Sequence, residues 1–232
     1  MFNFSLSNIL YSIKYLVPVV IIALPIHEYA HARVAYSFGD PTAKNNGRLT
    51  LNPLKHLDLV GTILLIVAQF GWAKPVPINP FFFQGNRKRK ILYVSLAGPV
   101  SNLLQAIIGT TFIKLIPWLS FYSDNSISMS ILRWLFTFLV FYVHLNLVLA
   151  IFNLLPMPPL DGSKILAGFL PDRYAEFICN TLERYGFIIL IVLLFTGLLS
   201  LILGPPVNFL FDLLMKVFNV PINFLANIFY AL

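Results

Sequence analysis

The sequence predicts an all-α polytopic membrane protein of about five to six transmembrane or re-entrant helices, with a short β element at the cytoplasmic side. Composition is the first reason: 58% of residues are hydrophobic and 11% charged, with mean hydropathy +0.81, far from a soluble globular domain. Second, several apolar stretches reach or approach the roughly 20 residues that cross a bilayer core of about 30 Å. Third, the net charge of +7 comes from basic residues clustered between those stretches, which reads as membrane topology and not as nucleic-acid binding. The 232 residues leave room for one membrane domain and no sizeable soluble one. A lone cysteine, Cys179, excludes an intrachain disulfide.

The first helix is expected from about Leu6 to Phe38, closed by Gly39-Asp40-Pro41. It is more than a cleaved signal peptide, because its apolar run continues into HEYAH. Pro25 lies inside it and deprives the Ile21 carbonyl of its helical partner, so a kink is expected. NNGRLTLNP, with a turn at Asn46-Gly47 and alternation at Leu49 and Leu51, reads as a short strand or hairpin arm. DLVGTILLIVAQFGW has an apolar centre too short to span and reads as re-entrant or interfacial. After a proline-rich loop ending in four consecutive basic residues, 91–119 and 131–156 are spanning segments. Residues 157–186 are more polar and belong at the surface. A further span covers 187–203, broken by Gly204-Pro205-Pro206 before a last amphipathic stretch.

Residues 39–90 hold eight Lys and Arg, 120–130 hold none, and 157–186 hold Lys164, Arg173 and Arg184. With 58–72 not crossing, both basic segments share one side, which the positive-inside rule makes cytoplasmic.

Polar chemistry concentrates on that side. HEYAH fits HExxH: on a helix, His27 and His31 project from one face about 6 Å apart, close enough for one metal ion. Glu28 is suited to take a proton from metal-bound water. A catalytic zinc keeps three protein ligands, and NLLPMPPLDG (153–162) is the best source of the third. Its prolines end a helix near the bilayer, where irregular backbone survives only inside protein or against a wet cavity. Asp161 emerges just past that break; the plainer reading makes it the N-cap of the next helix.

These segments, with SLAGPVSN between them, resemble the site-2 protease family of intramembrane zinc metalloproteases. GDPTAKNNGRLTLNPLKHLD and GWAKPVPINP resemble connecting loops of its compact members, and the similarity runs in order over roughly residues 20–170. The resemblance implies one zinc ion held by His27, His31 and Asp161, with Glu28 as general base. It also implies Asn153 as a partner of the substrate carbonyl or oxyanion; an amide donor there can reach a tetrahedral intermediate, or can simply bond carbonyls freed by Pro156. The family reading makes 1–232 a single membrane-embedded metalloprotease domain, its catalytic core about 6–170 and its C-terminal helices about 185–232. No PDZ-like or CBS-like segment is recognisable. The partners implied are a transmembrane protein or peptide substrate and the lipid bilayer of the cell membrane, with no nucleic acid and a homo-oligomer left open.

Two histidines and a carboxylate also form the facial triad of non-haem iron oxygenases, but Glu28 beside His27 favours hydrolysis. A metal transporter would need polar groups along a whole path, and a catalytically inactive scaffold would have no use for Glu28. Among weaker candidates, His56 and Asp58 suit a local turn or a second shell, and His144 an interhelical hydrogen bond. Asn102 suits helix packing through Gly98 or the site itself. The strand at 47–51 suits pairing with an extended substrate, and the basic run at 87–90 is a topology anchor.

Overall fold

The computed structural model describes residues 10, 12–68, 71–120 and 125–221. A π-helical turn, Ser12–Leu16, leads into α1, Val17–Ser37, which carries Pro25 in its interior. Helix α1 stops at Gly39, whose φ is 99°. There Gly39 N–H donates to Tyr36 O and Asp40 N–H to Ala35 O, the paired bonds of a Schellman cap. The helical turn Thr42–Asn45 ends in the same way. Gly47 has φ 63°, its N–H bonds Lys44 O, and Arg48 N–H bonds Ala43 O at 2.8 Å. Glycine takes positive φ without a Cβ penalty, so these two caps set where Asp40 and Arg48 leave the helical ends.

The expected strand at 46–51 does not form. Among the described residues the only β pairing is an isolated antiparallel bridge, Leu57–Ala73. The backbone that would have paired is already engaged: Arg48 N–H caps the preceding turn, Thr50 O accepts from the His56 ring at 2.7 Å, and Asn52 caps the 3-10 turn Pro53–Lys55. Helix α2, Leu59–Ala68, follows, with Asp58 Oδ1 accepting from Gly61 N–H at 2.9 Å. Its 10 residues extend about 15 Å, half a bilayer core. An irregular strap, 71–79, then crosses back past α1.

The remaining helices are α3 (Arg87–Ser120), α4 (Ser126–Leu154), α5 (Asp161–Phe169), α6 (Asp172–Phe195) and α7 (Leu198–Val217). Among the described residues four helical stretches are long and apolar enough to cross a membrane: Ile13–Ser37, α3, α4 and α7. The apolar end of α6, Arg184–Phe195, is shorter. The chain breaks at Gly197, with φ 75°, and not at Gly204-Pro205-Pro206, which lie within α7. Gly204 has no Cβ to clash with the Pro205 ring, which eases the first of the two proline junctions.

Helix α3 is central, packed chiefly against α4, α1 and α5. Ile113, Phe136, Val143, Leu147 and Val207 build the main apolar core. Asn102, Gln105, Thr110 and Asn146 are buried, while Leu104, Ile108, Phe112 and Leu115 are exposed along α3. That distribution suits a helix whose outer solvent is lipid and whose polar groups are satisfied within the bundle.

Candidate metal centre

His27 and His31 lie one turn apart on the buried face of α1. Their rings meet edge to face, 4.6 Å between centroids, with the two Nε2 atoms 3.0 Å apart. The helix break after α4 brings in Asp161, the first residue of α5. Its Oδ2 lies 3.4 Å from His27 Nε2 and 3.2 Å from His31 Nε2.

The other ring nitrogens define what this cluster can bind. His27 Nδ1 contacts Asn102 Oδ1 at 2.5 Å, and His31 Nδ1 contacts Val94 O at 2.7 Å. Both partners are acceptors, so each Nδ1 carries the hydrogen and, in the neutral ring, each Nε2 presents a lone pair. Two lone pairs and a carboxylate oxygen then converge, an arrangement that demands a cation. A tetrahedral zinc with bonds of 2.0–2.1 Å has ligand–ligand edges of about 3.3 Å, and the observed separations bracket that value. Helix α3 approaches closely only because residue 98 is glycine: a Cβ there would run into His27 Cε1 and His31 Nε2. The three side chains therefore fit a zinc ion.

Around the cluster, Asn102 Nδ2 donates to Asn146 Oδ1 at 2.8 Å, and Asn146 Nδ2 to Tyr142 O at 2.9 Å. This fixes the Asn102 amide with its oxygen toward His27. Glu28, beside the first histidine, accepts at Oε2 from Val76 N–H at 2.8 Å. Asn153 lies near the end of α4 and donates to Leu149 O at 3.0 Å; among the described residues no hydrogen bond joins it to the cluster.

His56 and Asp58 prove local: the His56 ring holds Thr50 O, and Asp58 caps α2. His144 is exposed on α4 and meets the Phe211 ring edge to face. Asn146, Val94 and Val76 escaped sequence reasoning. Asn146 carried a signal, as a polar residue within a spanning run; the two backbone contacts carried none.

A bundle of membrane-crossing helices with a His–His–carboxylate cluster beside a glutamate defines a class, the membrane-embedded metallohydrolases. The sequence model of peptidase family M50 matches residues 15–197. A Bacillus subtilis (strain 168) protein named "Putative zinc metalloprotease YwhC" is 46% identical over 209 residues, 88% of this chain and 91% of that one. "Putative zinc metalloprotease Rip2" of Mycolicibacterium smegmatis is 30% identical over 198 residues, 83% of this chain and 71% of the other. A Methanocaldococcus jannaschii protein, "Putative zinc metalloprotease MJ0611", is 40% identical over 73 residues, 32% of this chain and 31% of its own length. No solved structure matches. The chain belongs to peptidase family M50, the site-2 protease family, and is a metalloprotease.

Proposed function

We propose that this protein is an intramembrane zinc endopeptidase that cleaves transmembrane segments of membrane proteins, as in regulated intramembrane proteolysis, at a site opening toward the cytoplasm. The carrying observation is the convergence of His27 Nε2, His31 Nε2 and Asp161 Oδ2 within 3.0–3.4 Å inside a helical membrane fold. His27, His31 and Asp161 would hold a single zinc ion, which would supply Lewis acidity and make water at the site easier to deprotonate. Glu28 acts as general base: Val76 N–H engages Oε2, which leaves Oε1 to receive the water's proton and pass it to the departing amine. Asn153 donates to the substrate carbonyl; one Nδ2 hydrogen rests on Leu149 O, and the other is unclaimed among the described residues.

The test uses purified protein in detergent and a synthetic single-spanning peptide with a glycine-rich centre, labelled with fluorophore and quencher at its ends. Glu28→Gln should lose at least 100-fold in rate, on the order expected for a general base, and keep its zinc. His31→Ala and Asp161→Ala should lose zinc. Equal cleavage by Glu28→Gln and wild type would overturn the mechanism.

A further inference from the structure

We propose that Arg48, far from the cluster in sequence, is a positioning residue for Glu28 and acts through one peptide group of the strap; this rests on the reading of Glu28 as the base. Arg48 is 7% exposed. Its Nη2 donates to Lys74 O at 2.7 Å and Pro75 O at 3.3 Å. The N–H of Val76, which belongs to the same peptide unit as Pro75 O, donates to Glu28 Oε2 at 2.8 Å. In a planar trans peptide the C=O and N–H point in opposite directions. The Pro75–Val76 peptide therefore stands between a guanidinium on one side and the Glu28 carboxylate on the other. Each bond polarises the group toward the other, the cooperative case for hydrogen bonds in series.

Prolines restrict the strap around the peptide that Arg48 holds. Proline fixes φ at Pro75. Lys74 and Val76 both precede prolines, which keeps them out of the helical region. With both flanks anchored, the tilt of the 75–76 peptide is set by small coupled changes in ψ of Pro75 and φ of Val76, since a full flip would force Val76 into positive φ, which a β-branched residue does not adopt. Arg48, by binding Pro75 O, fixes the tilt at which Val76 N–H meets Glu28.

The rest of the strap is anchored independently. Lys74 N–H donates to His56 O at 2.8 Å, Asn79 N–H donates to Asp40 Oδ2 at 2.7 Å, and the Val76 side chain packs against Ala32 and Ala43. Removing the guanidinium therefore lets the 75–76 peptide tilt away from Glu28 and leaves the strap in place.

The experiment measures cleavage of the same labelled peptide, together with zinc content, for wild type, Glu28→Gln, Arg48→Met and Arg48→Lys. Arg48→Met should keep one zinc per chain and a KM within about twofold of wild type, while kcat falls at least 10-fold; Arg48→Lys, which retains a cationic donor, should recover much of that loss. Should Arg48→Met fail to accumulate, Arg48→Gln replaces it with the same expectation. Wild-type kcat in the neutral variant, or loss of zinc along with rate, overturns the inference. If Glu28→Gln is inactive and Arg48→Met is not, only the role of Arg48 fails; if Glu28→Gln cleaves normally, the base assignment fails and this inference with it.

Discussion

At the residue scale, the chemistry at His27 depends on which nitrogen carries the hydrogen, and that is decided by Asn102. Its Oδ1 accepts from Nδ1, and its own amide is locked by Asn146. Partners of this kind orient ligating imidazoles, and their loss commonly costs 10- to 100-fold in metal affinity. Asn102→Leu leaves the Nδ1–H buried without an acceptor, so zinc should bind about 10- to 100-fold more weakly in a chelator competition. Asn102→Asp keeps an acceptor for Nδ1–H, although it loses the donor to Asn146 Oδ1, and should bind zinc more tightly than Asn102→Leu. If both variants bind zinc alike, the contact has no part in holding the metal. HExxH made the two histidines legible because the ligands share one helix and one spacing. Asn102 was only half legible: its place in SLAGPVSN was suggestive, but which polar group faces a cluster depends on the rotation of α3 about its axis, and no local pattern encodes that.

At the element scale, α3 meets its neighbours through small residues. Gly98 and Gly109 lie eleven residues, about three turns, apart on one face. A Cβ at 98 would strike His27 and His31, whereas one at 109 would meet Val143 and Tyr142 on α4. The same substitution therefore separates two roles. Gly98→Ala should displace the imidazoles and abolish stoichiometric zinc. Gly109→Ala should overpack the α3–α4 contact at a cost of about 1–3 kcal/mol, seen as a lower melting temperature with zinc retained. Zinc loss in both variants, or in neither, would contradict this division. Helix boundaries were legible where glycine or proline dictates one outcome, as at Gly39. They were misread where two breakers compete: Gly197 ends α6, while the more conspicuous Gly204-Pro205-Pro206 is absorbed into α7. The missing strand has a comparable origin. Alternation at Leu49 and Leu51 marks a face, but a strand also needs free backbone groups, and caps and side chains had claimed those of 48–52.

At the scale of the whole molecule, the basic segments and the cluster gather at one end of the bundle. Lys88, at the start of α3, bonds Leu170 O and lies 2.7 Å from Asp172 Oδ1, which joins the 87–90 run to the α5–α6 connection. His31 reaches Val94, barely two turns into α3, and Asp161 opens α5. Helix α3, at 34 residues, extends about 51 Å, so the Asn125 turn that follows lies at the opposite end. From the excess of Lys and Arg at the cluster's end we propose that this end faces the cytoplasm. With Cys179 replaced by serine, a cysteine at Asn125 should react with a membrane-impermeant maleimide in intact bacterial cells. One at Lys55, exposed near the cluster's end, should react only after permeabilisation. The reverse pattern would put the cluster on the outer face and overturn the orientation. Labelling at both positions in intact cells would mean that α3 does not cross. With the predicted pattern the proposed catalytic groups would lie beneath the cytoplasmic surface: His31 is eight residues, about 12 Å, from the Gly39 end of its helix, a depth that suits both the entry of water and the proposed membrane-spanning substrate.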